Sequence, residues 1–321
     1  MSSAACSLLT AAQMTQFKEE GYVVVDDVFS ASDLQPVIDE VAAEVDRRSR
    51  ELVAEGKLSR DYAELDFERR LAAISLETPE VARSIWNGTL AGPAFFHLIT
   101  HPRLLDVAEQ FCGPEIIASS VYRLRPKIPQ HEYGAVPWHQ DSGYMEPYCD
   151  KATVLTVWLP LVDANEENGC LWVLPKAHRG EVVPHHRRTN KPYLIIVDEN
   201  LPDGQPKCVP VRKGGVLLLH NRTPHASFEN KTNRVRWSMD LRYQSAALPT
   251  NAKITRLPNE DVADGKNGVP IACYPPEADF LVRSQARPNE VVTEPAVFHK
   301  LRKTHQSSGM TNRWAENVTE R

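Results

Sequence analysis

After Gly113 the chain changes texture, and that change limits its possible folds more than any other feature. Upstream, apolar residues recur at helical spacing; downstream come short apolar or alternating runs, each ended by Pro, Gly, Asn or Asp. The runs cover 116–124, 136–143, 152–161, 170–174, 209–212, 216–220, 226–228 and 234–243. Eight short, punctuated strands suit an antiparallel barrel or jelly roll, which buries its strand edges by closing on itself. The expected fold is therefore mainly β with flanking helices, around an antiparallel barrel or jelly-roll core. A chain of this length fits one domain: a mainly helical part over 1–113, the core over 114–244 and an extension over 245–321.

The helical part carries its own punctuation. Thr10 and Gln13 have capping-box spacing, and the helix they open should stop near Gly21, followed by a strand over 22–25. Ser32 and Gln35 repeat the cap, and Leu34, Ile38, Val41 and Val45 continue a long helix to Gly56 that should lie on a sheet. Residues 57–90 are charged, with breaks at Pro79 and Gly88, and suggest loop and short helix without a function. A helix over 102–111 is expected between a Thr100 cap and Gly113. The segment 176–205 is long for a connector and suits a lid or substrate loop; one more helix is expected over 293–303, before a polar, loosely held end.

Composition narrows the function. A net charge of −5 provides no basic footprint, so nucleic acid is not an expected partner. No apolar run approaches a membrane span and no basic, apolar leader is visible, so a cytoplasmic protein away from membranes is expected. The six cysteines lack C-x-x-C spacing and read as reduced thiols.

Within the strand-rich part, His139 and Asp141 stand two residues apart before a turn-forming Ser-Gly pair. In extended backbone, residues i and i+2 share a face, so this imidazole and carboxylate can hold one ion together. Taken alone, an H-x-D triplet is more often a surface hydrogen-bonded pair. An iron(II) site of two His and one carboxylate needs a second His and leaves other positions open for substrate and oxygen.

Among eleven histidines, His178, His185 and His186 lie in a basic loop and should be solvated; His220 and His225 are the serious rivals for the third ligand. If 229–232 is a four-residue hairpin loop, His225 faces Arg236 across the two strands, whereas the residue eleven after His220 falls inside the turn. A five-residue loop would slip this register. Along the returning strand Arg234, Arg236, Ser238, Asp240 and Arg242 share one face, opposite Val235, Trp237, Met239, Leu241 and Tyr243. A guanidinium at Arg236 can grip the far carboxylate of a dicarboxylate such as 2-oxoglutarate, with Ser227 adding a hydroxyl; its plainer role is a surface cross-strand ion pair. Trp158 is a core aromatic or a wall beside that molecule. Tyr144 and Met145 follow the turn closely enough to line a substrate pocket.

Taken together, Trp138-His139-Gln140-Asp141, the run Gly169-Cys170-Leu171-Trp172-Val173-Leu174-Pro175-Lys176-Ala177-His178, and His225-Ala226-Ser227 followed by Arg236 resemble the phytanoyl-CoA dioxygenase family. The likeness runs from Gly21 to about Tyr243. It implies a non-haem Fe(II) enzyme that uses 2-oxoglutarate and O2 on a double-stranded β-helix, a cupin-like jelly-roll core buttressed by helices. It implies His139, Asp141 and His225 as metal ligands, Arg236 and Ser227 on the co-substrate carboxylate, and Trp158 beside it. The implied reaction oxidises a C–H bond of a small organic molecule, natural product or lipid-like, by hydroxylation in the main, with release of succinate and CO2. Related halogenases lack the carboxylate that stands here as Asp141. Two other readings stay open: a jelly-roll isomerase or hydrolase that uses a metal without 2-oxoglutarate, and a jelly-roll binding module without chemistry.

Overall fold

A computed structural model of the chain describes residues 9–86, 90–120, 122–130, 135–145, 147–188, 193–246, 279–304, 314 and 317–318. Helix α1 (Ala11–Glu20) opens on the Thr10–Gln13 capping box and ends where Gly21, at φ 81°, returns its N–H to Phe17 O. Strand β1 (Tyr22–Val25) follows. Helix α2 (Ala31–Ala54) is capped two residues earlier than expected, by Ser30 and Asp33. Its apolar stripe packs against α3 (Phe67–Glu77), α4 (Glu80–Trp86) and α5 (Pro93–Ile99), a helical layer where a sheet was expected. The short helix expected within 57–90 forms as α3 and α4, which bury Leu71, Ile74, Val81 and Ile85. The expected break at Gly88 lies outside the described residues. Helix α6 (Pro102–Cys112) starts after His101, which makes no side-chain cap; Thr100 instead ends α5.

Beyond Gly113 the expected strands form two facing sheets. The larger contains β1, β2 (Ile116–Ser119), β3 (Arg123–Lys127), β5 (Leu155–Pro160), β10 (Val216–His220), β12 (Arg236–Ser245) and β13 (Asp279–Arg283), in the order β1-β10-β5-β12-β2-β13. Strand β12 is its spine: one edge pairs with β5, the other first with β3 and then with β2. The smaller sheet runs β4 (Val136–His139), β11 (His225–Ser227), β6 (Leu171–Val173) and β9 (Lys207–Val209). This antiparallel two-sheet arrangement with flanking helices is the jelly roll that the strand pattern suggested. Strand β13 lies in the extension, where no strand was foreseen.

The alternation along β12 separates two interiors. Val235, Trp237, Met239, Leu241 and Tyr243 join the main apolar core under the helices, with Phe67 stacked on Trp237. Arg236, Ser238, Asp240 and Arg242 are buried as well, on the opposite face. Burying three charged residues there demands ionic partners, which locates the polar interior between the sheets.

The described residues of segment 176–205 are anchored to the rest of the fold. They include β7 (His186–Arg188) and β8 (Leu194–Ile195), and Ile196 N–H donates to Trp138 O at 2.7 Å. Helix α7 (Pro295–Thr304) forms where one was expected and buries Phe298. Strand β14 (Asn317–Val318) pairs with β7, so part of the terminal stretch is held rather than loose. Among the described residues no helix is long and apolar enough to cross a membrane.

Candidate functional site

Strands β4 and β11 place the two imidazoles. His225 is the register partner of His139, and their ring centroids are 4.2 Å apart. Each ring is oriented through Nδ1, which lies 2.8 Å from Pro137 O for His139 and 3.0 Å from Thr223 O for His225. With Nδ1–H donating to these carbonyls, both Nε2 lone pairs are directed away from the backbone, the arrangement that metal-bound histidines adopt. Asp141 opens a short 3-10 turn directly after β4 and brings its carboxylate to the same place, with Oδ1 4.0 Å from His139 Nε2. One ligand atom from each residue lies within 4.8 Å of the others, and all three residues are buried. No other group of three or more His, Cys, Asp or Glu residues converges in this way among the described residues.

The charge state suits a cation. Burial pushes the His139 imidazole well below its ordinary range, and neighbouring His225 adds to the shift, so it is neutral and able to donate a lone pair. Burial acts to raise Asp141, but Arg242, the two imidazoles and the Thr156 hydroxyl outweigh it and hold this carboxyl well below its usual range. Arg242 donates to Asp141 Oδ1 at 2.9 Å, and the Thr156 hydroxyl donates to Oδ2. Two imidazole nitrogens and one carboxylate are the donor set that suits iron(II) with open positions.

The turn carrying Asp141 is held from below. Gln140 N–H donates to His185 Nε2 at 2.9 Å, and Asn221 accepts from Ser142 N–H and donates to its hydroxyl. Gly143 lets the His185 ring approach, since a Cβ there would meet that ring at 2.7 Å. Trp314 donates to Gly143 O at 2.8 Å. His178 and His185 are therefore buried, not solvated as their basic loop suggested.

Beside the triad lies a small, partly open cavity between the sheets, with Trp158, Arg236, Asp240 and Arg242 on one wall and Val136, Leu171 and Ser227 on the other. Arg236 donates to Gly169 O at 3.0 Å and Ser227 Oγ at 3.2 Å, and through its other terminal nitrogen to Ser238. Its guanidinium lies 5.1 Å from the Trp158 ring centroid. Gly169 needs to be glycine: its φ is 80°, and a Cβ would meet Phe228 O at 2.7 Å. Arg236 Nε is buried without a partner among the described residues, and burial pushes the guanidinium down only to about 10, so the charge persists at neutral pH. A buried guanidinium with a vacant donor at a cavity wall is ready for a carboxylate.

The route by which Arg236 reaches Ser227 differs from the expected hairpin. Strand β11 pairs with β4 and β6, whereas β12 pairs with β5, β3 and β2, so His225 and Arg236 are not cross-strand neighbours. Residues 228–235 cross between sheets, and Asn230 secures the crossing by donating to Lys127 O and Arg234 O. The side chains still meet because the sheets face each other. Tyr144 packs edge-on against His139 at 5.9 Å and its hydroxyl accepts from Leu194 N–H; Met145 is fully buried, and neither lines the cavity. His220 ends β10 and faces His178 across 5.3 Å, away from the triad's ligand group.

Comparison with known proteins agrees with this geometry. The phytanoyl-CoA dioxygenase family model matches residues 17–238. The chain belongs to the phytanoyl-CoA dioxygenase family. It is thus an enzyme of the non-haem iron, 2-oxoglutarate-dependent oxygenase class. It is 26% identical over 273 residues to phytanoyl-CoA dioxygenase domain-containing protein 1 of Bos taurus, covering 74% of this chain and 91% of that one. It is also 26% identical over 243 residues to a probable alpha-ketoglutarate-dependent hypophosphite dioxygenase of Stutzerimonas stutzeri, covering 74% and 79%. Among solved structures, EvdO2 from Micromonospora carbonacea var. aurantiaca has a TM-score of 0.51 at 22% identity, covering 76% of this chain and 96% of that one. The epimerase SnoN, solved with Fe3+, alpha ketoglutarate and nogalamycin RO, has a TM-score of 0.50 at 21% identity, covering 85% and 98%. At these identities the two structures speak for the fold alone.

Proposed function

We propose that this family member oxidises an unactivated C–H bond of a small organic molecule, by hydroxylation, at an iron held by His139, Asp141 and His225. The observation that carries this reading is the pairing of that triad with a buried, partly vacant guanidinium across one cavity. Iron(II) bound there with 2-oxoglutarate supplies oxygen activation coupled to decarboxylation of the co-substrate. The balance is one substrate C–H, one O2 and one 2-oxoglutarate giving one alcohol, one succinate and one CO2.

The protein's own residues perform the positioning. His139 and His225 present their Nε2 atoms, fixed by the Nδ1 contacts to Pro137 O and Thr223 O. Asp141 supplies negative charge and is kept ionised by Arg242. Arg236 and Ser227 take the distal carboxylate of the co-substrate, with Trp158 as a flat wall against its methylenes. Leu219, Leu171 and Val136 limit water at the reacting centre. The test is turnover of 2-oxoglutarate with purified enzyme: succinate should form only with Fe(II) and O2 together. Succinate-free turnover without oxygen would make the chain a metal-dependent isomerase or hydrolase instead.

A further inference from the structure

Among the described residues, the cavity carries more positive charge than iron and co-substrate can use. Arg125, Arg236 and Arg242 line it, against Asp240 on its wall and Asp141 bonded to Arg242. Iron(II) adds two positive charges and 2-oxoglutarate removes two. One positive charge is left over even if Lys127 is neutral, the state favoured by its burial beside Arg236 and Arg125. Uncompensated charge in a confined, partly apolar space is costly unless a ligand neutralises it.

Arg125 is the group placed to do so. It points inward from β3, opposite Ser238 of β12, and only its Nε is engaged, donating to Asp240 Oδ2. Its two terminal nitrogens make no hydrogen bond among the described residues, and its side chain is 22% exposed at the cavity. The guanidinium lies 5.3 Å from the centroid of the Trp86 ring, which α4 projects into the same cavity. A guanidinium fixed at Nε by a carboxylate and stacked on an indole presents its outer fork in one orientation, as anion recognition requires. Around it, Trp86, Val136 and Leu219 offer apolar surface.

We propose that Arg125, held by Asp240 and Trp86, binds the carboxylate of the primary substrate, which is a monoanionic organic acid with an apolar body. This rests on the oxygenase reading above, and the test keeps the two apart. Matched pairs of acids and their carboxamides (benzoate, phenylacetate and 3-phenylpropionate) are added to the anaerobic complex with Fe(II) and 2-oxoglutarate, and the metal-to-ligand absorption is followed. The same pairs are then scored for oxygen-dependent succinate formation. At least one acid should perturb the absorption and speed succinate formation severalfold, while its amide does not. Arg125→Gln should weaken that acid by roughly ten- to a hundredfold, with the 2-oxoglutarate spectrum retained. The double variant Arg125→Gln/Asp240→Asn, which leaves no buried carboxylate unpaired, should show the same loss.

Amides that act as well as acids, no acid that acts, or a double variant that keeps its acid preference would each overturn the assignment. So would a fall in 2-oxoglutarate affinity with acid preference unchanged, which would move Arg125 to the co-substrate. Absence of any 2-oxoglutarate spectrum in the unmodified enzyme would refute the oxygenase reading itself.

Discussion

Replacing Arg236 with Met keeps much of the side-chain volume but removes the charge and all donors. In the protein this guanidinium bonds Gly169 O, Ser227 Oγ and Ser238 Oγ and keeps a vacant Nε at the cavity. A co-substrate carboxylate bound there would lose its counter-charge in a site from which bulk water is largely excluded. Breaking a buried, hydrogen-bonded ion pair on one side costs about 3–5 kcal/mol, which corresponds to roughly a 150- to 5000-fold rise in the 2-oxoglutarate dissociation constant. Anaerobic calorimetric titration of 2-oxoglutarate into the Fe(II) enzyme measures it directly. Iron affinity should be preserved, because Arg236 makes no hydrogen bond or ion pair with His139, Asp141 or His225 among the described residues. Arg234→Met is the control: that side chain is 42% exposed and sits 3.8 Å from Glu68 at the surface, so its loss should leave the constant unchanged. An unaltered constant in Arg236→Met, or a large rise in Arg234→Met, would refute the assignment.

Three further outcomes are expected. Asp141→Asn should abolish stoichiometric iron retention after gel filtration, whereas Thr156→Val, which removes only the hydroxyl bonded to Asp141, should weaken it by roughly 10- to 100-fold. His220 is pushed down to about 3 by burial, with Arg222 and His178 adding to the effect, so it stays neutral in the folded chain while the unfolded imidazole takes up a proton below about 6.5. The unfolded state then binds the extra proton, and stability falls as pH drops through 6.5, by about 1.4 kcal/mol between pH 7.5 and 5.5 for this one group. His220→Gln should remove that much of the slope in urea titrations at the two pH values, and an unchanged slope would count against it. Ser30→Ala should lower stability by about 1 kcal/mol through loss of the α2 cap, seen as a lower urea midpoint, with 2-oxoglutarate binding unaffected.

The parts legible in the sequence were those written in local patterns. Capping at Thr10, the switch in period after Gly113 and the two-face alternation of β12 each follow from interactions between residues a few positions apart. His139 and Asp141 could be read together for the same reason. What the sequence concealed was non-local pairing. The hairpin assumed between 225 and 236 reached a sound juxtaposition of Arg236 and Ser227 by an incorrect route, since no local pattern distinguishes a turn from a crossing between sheets. Arg125 and Lys127 stood in a short alternation with Leu124 and Pro126 that could have marked them as inward-facing. Trp86 and His185 carried no such signal, because their importance comes from docking against Arg125 and against the Gln140–Gly143 turn.

The central claim is that three side chains distant in sequence hold one iron ion on which 2-oxoglutarate chelates. Anaerobic addition of Fe(II) and then 2-oxoglutarate to the metal-free enzyme, followed by visible absorption, tests it most directly. Fe(II) alone should give no visible band; a weak charge-transfer band should then grow with 2-oxoglutarate to a one-to-one end point, and fail to form in His225→Gln. A band that persists in that variant, or none in the unmodified chain despite bound iron, would contradict the account.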